Sequence, residues 1–92
     1  MDCKTFYGVT PAIFECVKKS GEIEHGTKYD PPSGNQGTAT TVVPAIGTIV
    51  LTFSFDPTSG DLTYCIKSKP WIVPVSSIFD GIGDAINVCR KG

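Results

Sequence analysis

Four cysteines at wide spacings constrain this chain more than any other feature of its sequence. Cys3, Cys16, Cys65 and Cys89 occur within 92 residues, with no C-x-x-C pair and with a single histidine, His25. A zinc site usually draws on cysteine pairs at short spacing, so the pattern predicts two disulfide bridges. A domain of this size buries only about 60 to 65% of the surface of its unfolded chain, and bridges compensate for a small core.

Disulfide bridges persist in oxidising compartments, so we expect a secreted or extracellular protein, with the periplasm or a lumen as alternatives. Met1 and Asp2 lead directly into the domain without an apolar signal segment, which we interpret as a start placed on a mature N-terminus. The length predicts one disulfide-stabilised domain over residues 1–92. The formal charge of −1 argues against nucleic acid or an anionic membrane as the main partner, and no stretch approaches the ~20 apolar residues of a membrane span.

The N-terminal third is rich in residues that favour strands. Residues 5–8 and 12–18 are predicted to form a hairpin around a loop at 8–11, and a further strand is predicted over 22–28. A symmetric loop places Cys3 opposite Cys16. The sequence therefore favours bridges from Cys3 to Cys16 and from Cys65 to Cys89 among the three connectivities that four cysteines allow.

The most regular segment runs over residues 48–66. Its apolar residues alternate with small polar ones, which is the period of a strand with one face in a core. The turn at 56–61 centres a hairpin that pairs Phe55 with Leu62, Phe53 with Tyr64 and Leu51 with Ile66 on one face.

Beyond residue 74 the apolar residues recur at steps of three and four, which predicts an amphipathic helix that begins near Ser77 with Asp80 in a capping box. The predicted fold is α+β: an antiparallel sheet of four to five strands packed against one C-terminal amphipathic helix, with two disulfides. The predicted core comprises Leu51, Phe53, Phe55, Tyr64, Ile66, Ile78, Ile82 and Ile86.

Catalytic and metal-binding patterns are weak in this sequence, and we predict no catalytic residue, metal or cofactor. His25 is interpreted as a surface residue of a strand, since one histidine without local partners does not make a base or a metal site. Glu15 and Glu24 are interpreted as solvated charges of a hairpin rather than the paired carboxylates of a glycosidase.

Two features favour recognition instead. The loop over residues 26–37 holds Tyr29 beside a rigid Asp30-Pro31 turn, which would present an aromatic contact on a stapled scaffold. Trp71, between two prolines, is either an exposed binding anchor or a plug between sheet and helix, and its apolar neighbours favour the plug.

These features predict a secreted protein-binding module, most concretely an inhibitor or effector that acts on another extracellular protein. The alternative is a carbohydrate-binding or small-ligand-binding protein, and a small secreted hydrolase is the third. An exposed aromatic patch would favour the first function, a closed apolar cavity a small ligand, and a cleft with two convergent carboxylates a hydrolase.

Overall fold

The computed structural model describes residues 1–91 and places five strands in one antiparallel sheet, in the order β1-β5-β4-β3-β2. Two helices cover one face of this sheet. The α+β fold, the C-terminal helix and the presence of two disulfides are confirmed. In chain order the elements are β1 (Cys3–Phe6), α1 (Pro11–His25), β2 (Lys28–Asp30), β3 (Gln36–Val43), β4 (Gly47–Asp56), β5 (Asp61–Ser68) and α2 (Val75–Lys91).

The β4–β5 hairpin has the predicted register, since period-two alternation and a tight turn are both local signals. Gly60 donates its backbone N–H to the carbonyl of Asp56 at 2.8 Å and closes the turn. The inward face of the hairpin consists of the three predicted pairs, Phe55 with Leu62, Phe53 with Tyr64 and Leu51 with Ile66.

The predicted N-terminal hairpin is wrong, because residues 12–18 belong to α1. Thr10 caps this helix: its Oγ1 accepts a hydrogen bond from the N–H of Ile13 at 3.1 Å, and Pro11 follows as the first helical residue. Phe14 and Val17 then lie on one buried face. A cap followed by proline is a helix start signal, and it outweighs the strand preference of the individual residues.

The strand predicted over residues 22–28 is also wrong, since α1 continues to His25 and β2 begins only at Lys28. Gly26 ends the helix in the left-handed conformation, with φ of 64°. The N–H of Thr27 then donates to the carbonyl of Gly21 at 3.0 Å. A left-handed glycine is the usual helix C-terminus, because it carries no β-carbon to clash there.

Both predicted bridges are wrong, and the helical conformation of α1 is the reason. Cys3 bonds Cys65, its direct partner across β1 and β5 on the outward face of the sheet. Cys16 bonds Cys89 with a Cα–Cα distance of 5.9 Å and so joins α1 to α2. A helix in place of the second strand turns Cys16 away from Cys3 and towards the other helix.

The core contains most of the predicted residues, although Ile78 and Ile82 are only partly buried. α2 begins at Val75, so Ser77 lies within its first turn and is not its cap as predicted. The buried residues absent from the predicted core come from both helices, from β2, β3 and β5 and from the segment before α1: Val9, Phe14, Val17, Tyr29, Ala39, Leu62 and Phe79.

Trypsin cleavage of the unreduced protein tests the connectivity directly, because lysines separate the four cysteines. Mass spectrometry should recover Cys3 joined to Cys65 and Cys16 joined to Cys89. The variant Cys16→Ala/Cys89→Ala should lose about 2 to 4 kcal/mol of unfolding free energy in urea, since this bridge closes a long loop. Recovery of Cys3 joined to Cys16 would contradict the described fold.

Candidate functional site

A cavity of about 280 Å³ lies between the sheet and the two helices. Its sheet wall consists of inward-facing residues from four strands: Tyr29, Ala39, Thr41, Ile49, Leu51 and Tyr64. Its helix wall comes from both helices and includes Val17, Gly21, Ile78, Gly81, Ile82 and Ala85. The volume lies between a cavity of about 150 Å³ that binds benzene and the ordinary ligand pockets that begin near 300 Å³.

The cavity exists because small residues face one another across the layers. Gly21 of α1, Ala39 of β3, and Gly81 and Ala85 of α2 all line it. A β-carbon built at Gly81 would have no neighbouring atom within 4 Å. His25, Ser77 and Gly81, which line this space, are exposed, so it is an open pocket between the layers and not a sealed void in the core.

Aromatic rings fill the neighbouring part of the core. Phe14 packs on Phe55 with ring centroids 4.8 Å apart and on Phe53 at 5.7 Å. Tyr29 and Tyr64 both pack against Phe53, with centroid distances of 5.3 and 6.4 Å. The two tyrosines also line the cavity, whereas the three phenylalanines do not. The two tyrosines therefore form the boundary between the packed aromatic part of the core and the cavity.

The hydroxyl oxygens of Tyr29 and Tyr64 lie 3.0 Å apart and share a buried hydrogen bond. Two hydroxyls carry two protons, and one bond between them uses only one. The second O–H is therefore not used by this bond. Among residues 1–91, every buried side-chain nitrogen and oxygen has at least one partner, so this pair leaves no polar atom wholly unsatisfied.

Burial raises the pKa of both tyrosines above the ordinary value of 10.0. For Tyr29, the hydrogen bond with Tyr64 opposes this effect, and the carboxylate of Glu22 adds to it. For Tyr64, the neighbouring Tyr29 raises the pKa further. Both groups are consequently neutral hydroxyls at physiological pH, and a neutral O–H suits a neutral acceptor.

The cavity reaches the surface between the two helices. Ser20 and His25 of α1 and Gly81 and Ala85 of α2 line both the cavity and an adjoining surface groove, and His25 and Gly81 are exposed. Farther out, the groove is lined by Glu24, Asp84 and Val88. His25 thus lies at the opening, at the end of a helix rather than on the predicted strand.

Tyr29 was predicted to present its ring from a loop, but it is a strand residue with only 6% of its surface exposed. Asp30 and Pro31 are exposed and are joined by a cis peptide bond, away from the cavity lining. The loop that follows is held at both ends. Buried Lys18 donates to the carbonyl of Pro32 at 3.4 Å, and the N–H of Phe55 donates to the carbonyl of Asn35 at 2.7 Å.

Trp71 is 90% exposed, so the plug favoured from its neighbours is wrong and the exposed alternative describes its position. It belongs to the connection between β5 and α2, whereas Tyr29, Asp30 and Pro31, which the prediction grouped with it as binding residues, belong to β2 and the loop after it. Glu15 and Glu24 do not face each other on a hairpin, since both belong to α1. Glu15 pairs with Lys18 at 2.8 Å, and Glu24 accepts from Ser20 at 3.2 Å.

One feature of the sequence, the inward-facing Tyr64, indicated part of this site. Tyr64 was correctly placed on the inward face of the hairpin, and a buried tyrosine hydroxyl needs a polar partner inside the core. The small residues at 21, 39, 81 and 85 come from three elements, and two of these elements were assigned incorrectly or left unassigned. Their convergence therefore had no sequence signal.

No protein-family model, curated protein or solved structure matches this chain. No group of three or more metal-ligating side chains comes together within residues 1–91. None of the helices described over the same residues has the length and apolar character needed to span a membrane.

The tyrosine pair predicts a loss of stability at alkaline pH. Below pH 10 the hydroxyls are protonated in both the folded and the unfolded chain. Above it, the unfolded chain releases these protons while the folded chain, with its raised pKa values, retains them. The free energy of unfolding should thus fall as the pH rises above 10.

Urea unfolding at about pH 8 and about pH 11 measures this loss. The variant Tyr29→Phe/Tyr64→Phe, which leaves no unpaired hydroxyl, should lose markedly less stability across the interval. Tyr7→Phe removes an exposed tyrosine and serves as the matched control, with the wild-type loss expected. An equal loss in the double variant and the wild type would show that the buried pair does not cause it.

Proposed function

We propose that this protein binds a small, largely apolar molecule that carries one hydrogen-bond acceptor. The observation that carries the proposal is the cavity of about 280 Å³ with the Tyr29–Tyr64 pair at its boundary. Ligand sites in proteins are mostly apolar concavities with a few well-placed polar groups, and this cavity has that composition. Its volume suits one aromatic ring with a short substituent, or a short branched chain.

The spare tyrosine O–H defines the polar requirement of the ligand. A ketone, ether or ester oxygen can accept this proton, whereas a hydrocarbon cannot. A hydrogen bond of this kind typically contributes about 0.5 to 1.5 kcal/mol, which corresponds to an affinity gain of several-fold to about tenfold. Apolar contacts with Ile49, Leu51 and Ile82 would hold the remainder of the molecule.

The cavity is a poor match for the two other chemistries considered from the sequence. No Asp or Glu among residues 1–91 lines it, so it lacks the convergent carboxylates of a glycoside hydrolase. A carbohydrate would need many polar partners, but most of the lining is apolar. A small apolar ligand is the occupant that this lining favours.

Secretion and protein binding stay predictions alongside this proposal. The two disulfides support an oxidising environment, and we propose that the ligand is bound outside the cell. An inhibitor or effector role relied on Tyr29 as an exposed contact, and this ring is buried. Trp71 remains the surface feature that supports recognition of a larger partner.

Acetophenone and isopropylbenzene form a matched pair of probes, because they have similar shapes and only the ketone has an acceptor. Titration calorimetry should show binding of acetophenone several-fold tighter than isopropylbenzene, and this preference should vanish in Tyr29→Phe/Tyr64→Phe. Shifts in ¹H–¹⁵N spectra should concentrate at cavity positions such as Gly21, Gly81 and Ala85.

The variant Ala85→Leu should fill part of the cavity and lower the affinity for both probes by more than about tenfold. Asn87→Leu adds the same side chain at an exposed position of α2 outside the cavity lining, and should bind like the wild type. If neither probe binds the wild type, or if Ala85→Leu binds as well as Asn87→Leu, the cavity is not a ligand site.

A further inference from the structure

We infer that one end of this protein docks on the surface of an anionic lipid bilayer. This end, here called the apolar tip, consists of the side chains of Val42, Ile46, Trp71 and Ile72. Val42 lies at the end of β3 and Ile46 in the turn between β3 and β4, and Trp71 and Ile72 lie in the adjacent turn between β5 and α2. The inference concerns a surface outside the cavity and does not require the proposed ligand.

Local hydrogen bonds build both turns. The N–H of Ile46 donates to the carbonyl of Val43 at 3.1 Å, and the N–H of Val73 donates to the carbonyl of Pro70 at the same distance. The second bond places Trp71 and Ile72 at the two central positions of their turn, where side chains project outward. A β-carbon at Gly47 would lie 2.8 Å from Cγ of Pro70, so the two turns are in direct contact.

The apolar side chains of the tip are unusually exposed. Trp71 is 90% exposed, Val42 65%, Ile72 59% and Ile46 50%. Large apolar groups gathered on a small protein mark an interaction surface. These groups protrude from convex turns, a shape that penetrates a soft, planar headgroup layer. Tryptophan in particular is enriched at the interface of membranes, where its apolar ring and polar N–H are both accommodated.

The charges around the apolar tip match an anionic surface. Lys67 and Lys69 immediately precede Trp71, and the segments 42–50 and 67–79 contain no Asp or Glu. Asp56 and Asp61 lie at the opposite end of the β4–β5 hairpin. Other charged groups lie at this end of the sheet as well: the carbonyl of Asp2 accepts from the N–H of Ile66, and the C-terminal part of α1, with Glu22 and Glu24, leads into β2 beside Thr40. The two tip segments themselves thus carry two positive charges and no carboxylate, within a chain whose formal charge is −1.

Docking in this orientation also brings the cavity close to the bilayer. Val43 and Val73, which close the two turns, line the cavity. If the proposed ligand-binding function holds, the membrane is a natural reservoir for an apolar ligand. This last step depends on that function, whereas the docking itself does not.

Vesicles of phosphatidylcholine with and without phosphatidylserine test the inference, and Trp71, the single tryptophan, is the reporter. Vesicles that contain phosphatidylserine should shift its emission to the blue, and brominated lipids should quench it. Added salt should weaken this binding, because the lysine contribution is screened. Pure phosphatidylcholine should bind more weakly.

Ile72→Ser and Lys67→Gln/Lys69→Gln retain the reporter and should each lower vesicle partitioning at least several-fold. Ile23→Ser is the matched control, since Ile23 is 81% exposed on α1 and lies outside the tip. Ala85→Leu, which alters the cavity, should dock like the wild type, so failure of ligand binding is distinguishable from failure of docking. Circular dichroism checks that each variant is folded.

Three outcomes would overturn the inference. One is the absence of any emission shift of the wild type with phosphatidylserine vesicles. Another is equal partitioning of Ile72→Ser and Ile23→Ser. The third is a concentration-dependent blue shift without lipid, coupled to a doubled mass in sedimentation, which would assign the apolar tip to self-association instead.

Discussion

The bridge between Cys16 and Cys89 is the constraint on which the hollow core depends, because it joins the two helices that form one wall of the cavity. This space opens to solvent between the helices, so the residues that line it lack packing partners on one side. Each bridge closes a long loop and contributes about 2 to 4 kcal/mol. Covalent ties of that size offset the packing that Gly21, Ala39 and Gly81 do not provide.

The sequence predicted the parts of the fold that local signals determine. The alternation along β4 and the turn after Asp56 established both the face and the register of the hairpin, and the three- and four-residue steps identified α2. α1 was missed because its β-branched and aromatic residues favour strands one by one, although Thr10-Pro11 and Gly26 mark its ends. The error in the disulfides followed from the error in α1, since connectivity depends on which element carries Cys16.

The candidate site was much less predictable than the fold. A cavity is defined by atoms that are absent, and its lining comes from both helices and four strands. Tyr29 illustrates the difficulty. Its position before Asp30-Pro31 resembles a loop, but its pairing with Ala39 across β2 and β3 turns the ring inward. Ala39, the small residue opposite, leaves room for the Tyr29 ring beside Phe53. Because these residues are far apart in the sequence, no local sequence pattern reveals that they fit together.

Helix α2 connects the features on which the two proposals depend. Its first turn follows the apolar tip, its middle lines the cavity with Ile78, Gly81 and Ile82, and its last turn carries the bridge to α1. Gly81 leaves the helix surface open beside the cavity, and a glycine within a helix costs about 1 kcal/mol relative to alanine. The bridge restrains the far end of α2, so the part that lines the cavity needs less packing to stay in place. A chain of 92 residues can therefore combine a helix end that is fixed by a disulfide with a helix middle that lines an open cavity.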